Sequence, residues 1–175
     1  YLIYSAERAP IRNNNAFGNG WFVDDLKWVS NSNEEIMELG SIDPRTTAVI
    51  DERYRAALGS IAPQPDPSAS VELTTYATSE LTYKVRSAKG GVVVFSEIWY
   101  GPDWKASIDG VPAEHVRADY VLRAMAVPAG EHTIVFKVES EPYNTSRPFA
   151  LASSSLVLLL VLGALGYEFK QNKLE

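Results

Sequence analysis

The sequence predicts a mainly β fold: an antiparallel β-sandwich or jelly roll, preceded by a small α/β lobe and followed by one transmembrane helix. Three observations predict it. Strand-like runs near 71–76, 80–87, 91–99, 105–108, 114–117, 121–127 and 132–138 recur about every ten residues, separated by turn chemistry. Several of them alternate apolar and polar side chains, the pattern of a half-buried antiparallel strand. Residues 149–167, FALASSSLVLLLVLGALGY, form a run of 19 residues without a charge.

The elements follow in chain order. Residues 1–58 read as the α/β lobe. Leu2, Ile3 and Tyr4 make a short apolar start, and residues 13–15 with Gly18, Asn19 and Gly20 are loop chemistry. Short strands are predicted over 21–23 and 26–29. Ser32 followed by Glu35 has the form of a capping box, opening a short helix that carries Ile36, Met37 and Leu39 and stops at Gly40. Asp43 and Pro44 mark a turn, and the β-branched run 46–50 reads as a strand. The unit is β-α-β. Residues 59–70, GSIAPQPDPSAS, contain three prolines and no periodicity, and read as a linker or long loop.

The sandwich occupies 71–139. Leu81, Tyr83 and Val85 alternate with Thr82, Lys84 and Arg86; Ile134, Phe136 and Val138 alternate with Thr133, Val135 and Lys137. The continuous apolar run 92–95 suits a central strand. Turns are marked by Lys89, Gly90 and Gly91, by Asp109 and Gly110, and by Pro128, Ala129 and Gly130; Asp-Gly between apolar residues is a strong hairpin signal. Residues 140–148 are juxtamembrane. Nineteen residues of helix reach roughly 28 Å, close to the ~30 Å hydrocarbon core. Pro148 suits a first helical turn, Phe149 and Tyr167 suit the two interfaces, and Lys170 and Lys173 follow in the tail 168–175. Ser153, Ser154, Ser155, Gly163 and Gly166 are small enough to admit a neighbouring helix. Lys137 and Arg147 on the near side balance Lys170 and Lys173, so charge alone leaves the orientation open.

Composition narrows the function. Net charge is −6, from 16 Lys and Arg against 22 Asp and Glu, and all of it lies in residues 1–148. An acidic domain is a poor partner for nucleic acid, whose affinity rests on clustered cations. The absence of Cys excludes disulfides, thiolate metal sites and a Cys nucleophile. No nucleophile elbow, phosphate loop, HExxH or EF-hand motif is present, so no catalytic residue, cofactor or metal is assigned. Paired carboxylates such as Asp24 with Asp25, Glu34 with Glu35 and Asp51 with Glu52 read as solvated surface. His115 and His132 read as exposed or turn-capping, and Asn144, Thr145 and Ser146 fit a glycosylation sequon by only three residues.

Two clusters could bind a ligand. Trp99, Tyr100 and Trp104 surround Gly101, Pro102 and Asp103. Their rings could stack on a sugar, with Asp103 or Lys105 bonding hydroxyls; alternatively Trp104 plugs one end of the sandwich. In RADYVLR, Arg117, Asp119, Val121 and Arg123 would share one face of a strand. The two guanidiniums could grip a phosphate or a lipid headgroup, or form a structural network in which Glu97 is a partner.

Residues 92–139, VVVFSEIWYGPDWKASIDGVPAEHVRADYVLRAMAVPAGEHTIVFKVE, resemble the C-terminal extracytoplasmic region of the YfhO-type bacterial membrane proteins, in wording similar to Bacteroidetes-type members. NAFGNGWFVDDLKWV and DPRTTAVID upstream resemble the same family, as does a final membrane helix. The resemblance implies a polytopic protein of the class C glycosyltransferase type, which uses lipid-linked sugars. Its catalytic carboxylates are expected in early loops among membrane helices upstream of Tyr1, so none is carried over to this chain. It implies residues 1–148 outside the bacterial cytoplasmic membrane and Lys170 and Lys173 in the cytoplasm. Expected partners are the lipid bilayer, upstream helices of the same protein, and a glycan or lipid-linked sugar. The leading expectation is a non-catalytic C-terminal domain that assists acceptor binding. The alternative is a membrane-anchored structural or interaction module that binds no sugar.

Overall fold

The computed structural model describes residues 2–4, 10–13 and 15–171. Lys173 and the end of the tail lie outside the described residues. The chain divides into two compact units, Tyr1–Val138 and Glu139–Glu175.

Among its described residues the first unit has thirteen strands in four sheets. A hairpin pairs β1 (Leu2–Tyr4) with β2 (Pro10–Arg12). The five-stranded antiparallel sheet has the order β10-β9-β13-β7-β6, from β6 (Ser70–Tyr76), β7 (Glu80–Ser87), β9 (Trp104–Ile108), β10 (Val111–Ala113) and β13 (Gly130–Val138). The four-stranded antiparallel sheet has the order β11-β12-β8-β3, from β3 (Gly20–Val23), β8 (Gly91–Ile98), β11 (Val116–Ala118) and β12 (Leu122–Val127). These two sheets form the sandwich. Between them lie Leu81, Tyr83 and Val85 of β7, Val93 and Phe95 of β8, Met125 and Val127 of β12, and Ile134 and Phe136 of β13. The rings of Tyr83, Phe95 and Phe136 meet edge to face at 4.8–6.0 Å. Burying a side chain of this size contributes roughly 1.5–3 kcal/mol.

The solid apolar run of β8 has a geometric reason. Successive side chains of a strand point to opposite faces. Val93 and Phe95 enter the sandwich core, while Val92 and Val94 enter a second core with Val23, Ala48, Ile50, Leu58, Val116 and Ala124. That second core is the contribution of the N-terminal region. Here β4 (Asp25–Val29) and β5 (Thr47–Asp51) pair in parallel, joined through α1 (Ser32–Glu38), which completes the expected β-α-β unit. A 3-10 turn (Glu52–Tyr54) and α2 (Arg55–Leu58) follow.

The boundary expected at 59–70 therefore does not separate two bodies. β3 is an edge strand of the sandwich, pairing with β8 from Gly20↔Phe95 to Val23↔Val92. The Pro-rich segment is also tied down. Asp66 accepts hydrogen bonds from the Ser87 hydroxyl and the Ala88 amide, both at 2.7 Å, and these bonds with those from Ser68 hold its carboxyl far below the usual range.

Asp109 and Gly110 form the two-residue hairpin turn that the sequence predicts. Both have positive φ, 51° and 81°, as a primed turn requires. The segment 116–124 breaks between the expected runs 114–117 and 121–127, and Arg117, Asp119, Val121 and Arg123 do not share the face of one strand. It is a hairpin of β11 and β12 turning through Asp119 and Tyr120, whose φ angles are 50° and 70°. The turn lacks Gly, so its tightness is not signalled locally, and Asp119 and Tyr120 are held in it by bonds to Val49 and Glu35.

The second unit is one helix, α3 (Glu141–Gln171). Its apolar portion Pro142–Leu165 spans 24 residues, long enough to cross a membrane. The helix starts seven residues ahead of Pro148. Pro142 takes the early position where no amide is needed, whereas Pro148 lies in the interior, at the cost of one backbone bond to Asn144.

Candidate functional site

The six residues singled out for ligand binding gather at one end of the sandwich, around three loops. The first loop, 99–103, leads from β8 to β9. The second, 119–121, joins β11 to β12. The two are tied together, since the Trp99 amide donates to the Val121 carbonyl at 2.8 Å. The third, 77–79, joins β6 to β7 and receives the Val138 amide at Ser79.

Trp104 opens β9 and lies half-buried against the sandwich core. The Arg123 guanidinium stacks on its ring at 4.1 Å and reaches the Phe136 ring at 5.2 Å. Arg123 is 2% exposed, and its Nε donates to the Ile98 carbonyl at 2.9 Å. Burial lowers its pKa, opposed by the charge of Glu97, so the expected Glu97 partnership acts through space and not through a contact. The register of β12 against β8 shifts between Leu122 and Arg123. Such a bulge re-aims a side chain, here into the aromatic pair. His115 completes this cluster. Its Nε2 is 2.9 Å from the Trp104 carbonyl and its ring meets Phe136 edge-on, so it is half-buried against the core and not exposed. Desolvation by burial lowers its pKa.

Trp99 folds over Gly101, where an added Cβ would meet the indole at 2.7 Å; its other neighbour is Tyr54. Glycine is required there by close approach. Asp103 is partly exposed in the turn, and Lys105 donates to the Pro102 carbonyl. Tyr100 is the ring of this cluster that remains open, at 53% exposed.

Arg117 and Arg123 do not act together. They sit opposite each other across β11 and β12, but their side chains take separate partners. Arg117 donates to Glu35 Oε2 at 2.6 Å and to the Ser32 hydroxyl at 2.7 Å. Glu35 Oε1 accepts the Tyr120 amide at 3.0 Å. Asp119 exchanges two bonds with Val49, its amide donating to the carbonyl and its Oδ1 accepting the amide, both at 2.8 Å. Burial, with the Glu35 charge adding to it, pushes the Asp119 carboxyl up to about 6.

Glu35 is the residue that sequence reasoning misassigns. The helix is capped one residue earlier than the expected box. Asn31 Oδ1 accepts the amides of Asn33 and Glu34, and Glu34 reaches back to the Ser30 amide. Ser32 and Glu35 are thereby released from capping and turn to Arg117. Glu35 and Asp51 are both buried and not solvated, Asp51 being held by Arg53 and kept below the usual carboxylate range. One sequence signal points to Glu35. Ser32 and Glu35 are three apart and share a helix face, while Met37 turns outward at 78% exposed.

Among the described residues no cluster of His, Asp and Glu could hold a metal ion. His132 caps a turn as expected, its Nδ1 lying 2.7 Å from Asp109 Oδ2, and the bond raises its pKa. A shallow groove lined by Ser70, Lys84, Arg86, Glu131 and His132 lies on the five-stranded sheet, toward the opposite end from the aromatic turn. The arrangement at the loop end ties three strand connections together and leaves the rings of Tyr100, Tyr76 and Tyr120 accessible. Comparison with family models, with curated proteins and with solved structures gives no match.

Proposed function

We propose that this chain is a non-catalytic, membrane-anchored β-sandwich module, the C-terminal extracytoplasmic part of a polytopic envelope protein of the YfhO type. The observation that carries the non-catalytic reading is the use made of the candidate binding groups. Arg123 is stacked inside on Trp104, and Arg117 is bonded to Glu35. Arg123 is closed off from solvent and the Arg117 charge is met by Glu35, so neither presents an open cation to a phosphate or a lipid headgroup. The span Pro142–Leu165 supports anchoring. Outward placement of residues 1–148 and a cytoplasmic C-terminus rest on the resemblance, and protease accessibility in spheroplasts tests them.

A second reading is favoured by Tyr100, whose open ring stands beside Asp103 and could stack on an acceptor sugar. Glycan-array binding by the detergent-solubilised chain, with and without Tyr100→Ala, separates the two. The structural reading expects no binding by either protein. Binding that is lost in Tyr100→Ala would overturn it in favour of an acceptor-glycan role.

A further inference from the structure

The sandwich has two unlike ends. Six large apolar side chains of its strands and turns are at least 39% exposed among the described residues: Tyr76, Ile98, Tyr100, Val111, Tyr120 and Val121. Five of them lie at the end where β13 finishes. Tyr76 pairs with Leu81 beside the 77–79 turn, Ile98 pairs with Leu122, and Tyr100, Tyr120 and Val121 belong to the two tied loops. Only Val111 belongs to the far end, next to the Asp109–Gly110 turn. The other turns of the far end, 88–90 and 128–131, add no large apolar side chain.

The peptide chain says which end is tethered to the helix. β13 finishes at Val138, and the span begins at Pro142. Four residues reach at most about 14 Å when extended. The far end of the eight-residue strands is about 26 Å further away along the strand direction. The loop end is therefore the end that a bilayer entered by α3 can reach first. Tyrosine and aliphatic side chains suit the lipid–water interface, where a ring can bury its body and keep its hydroxyl wet. Arg123 and Asp119 are buried and Arg117 is paired with Glu35, so the charges left facing solvent near this end, Glu80, Glu97, Asp103 and Glu139 against Lys105 and Lys137, give no attraction to anionic lipid.

We propose that the loop end carrying Tyr76, Ile98, Tyr100, Tyr120 and Val121 rests in the lipid–water interface of the membrane that α3 enters, held by apolar and aromatic contact and not by charge. This rests on the reading of α3 as a membrane span, and the experiment tests both separately.

The chain has no cysteine, so single labels are clean. The full chain would carry an environment-sensitive fluorophore on Ile98→Cys, Tyr100→Cys or Val121→Cys, with Val111→Cys as the far-end control and Leu159→Cys as the span control. Each protein is reconstituted in phosphatidylcholine vesicles, and quenching by acyl-brominated lipid is compared with quenching by aqueous iodide. The expected result is bromolipid quenching at 98, 100 and 121 severalfold above that at 111, with 159 quenched most, and no change when anionic lipid is added. Quenching at 159 with 98, 100 and 121 matching 111 overturns the interface proposal and leaves the span standing. Absence of quenching at 159 overturns the span, and the proposal with it. Labels at 98, 100 and 121 shielded from iodide but untouched by bromolipid also overturn it, and point to a protein surface.

Discussion

Glu35 and Arg117 are 82 residues apart in the chain and meet at 2.6 Å, with the Glu35 carboxylate fully buried. The pair joins α1 to the edge strand β11. It thereby adds an ion pair to the junction of the β-α-β region with the sandwich, beside the packing of Ala48 and Ile50 with Val116 and Ala118 and the two Asp119–Val49 bonds.

Removing one partner leaves a buried charge without its counterion, which costs about 3–5 kcal/mol when burial is deep. Arg117→Ala should therefore lower the unfolding free energy by several kcal/mol. Glu35→Gln keeps the amide bond from Tyr120 and strands only the more exposed guanidinium, so it should cost less. Denaturant titration of the two single variants and the double variant measures the coupling. Additive losses would show that the pair carries no shared energy.

Asp119 supplies a pH signature. Its folded pKa, about 6, stands above the ordinary carboxylate value of 3.8, so the folded state holds the proton more tightly than the unfolded state. The group's contribution is fully present below the unfolded pKa and is lost as pH rises through about 6. Asp119→Asn keeps the Oδ acceptor for the Val49 amide, tolerates the left-handed backbone and removes the charge. It should be more stable than the parent at pH 8 by roughly 1–3 kcal/mol, at 1.36 kcal/mol per pKa unit. It should also flatten the pH dependence between 4 and 6. Chemical denaturation across that range, with identical slopes for both proteins, would refute the carboxyl's role.

The Arg123 stack is a structural contact, and its loss should be read as one. Arg123→Ala opens a space against Trp104 and Phe136 and leaves the Ile98 carbonyl without its donor. A loss of about 2–4 kcal/mol is expected from the cavity and the broken bond together. Arg123→Lys keeps the charge but not the planar face and should recover only part of it. The near-ultraviolet circular dichroism of Trp104 should weaken in both variants. A wild-type spectrum in Arg123→Ala would show that the stack does not order the indole.

Much of the fold is legible in the residues. Alternation over 81–86 and 133–138, the Asp-Gly turn and the charge-free run specify strands, hairpin and helix by local rules, because periodicity and backbone preference act over a few positions. The capping reading failed by one residue because Ser32 and Asn31 are both good caps. In the fold Asn31 caps, while Ser32 bonds to Arg117, which is distant in sequence. The way 59–70 is tied down is hidden from the sequence for a similar reason. Proline content marks a segment as irregular, but Asp66 is held by Ser87 and Ala88, which no local pattern foretells.

What the sequence alone determined was a β-rich chain, its strand positions and a helix apolar enough for a membrane. The tertiary structure decided where the N-terminal region belongs, that 116–124 turns back on itself, and that Arg117 and Arg123 face inward to separate partners. Those outcomes rest on long-range desolvation. A guanidinium or carboxylate enters the interior only where a remote residue offers its counter-charge, ring or backbone bond, and only the assembled fold brings that residue within reach.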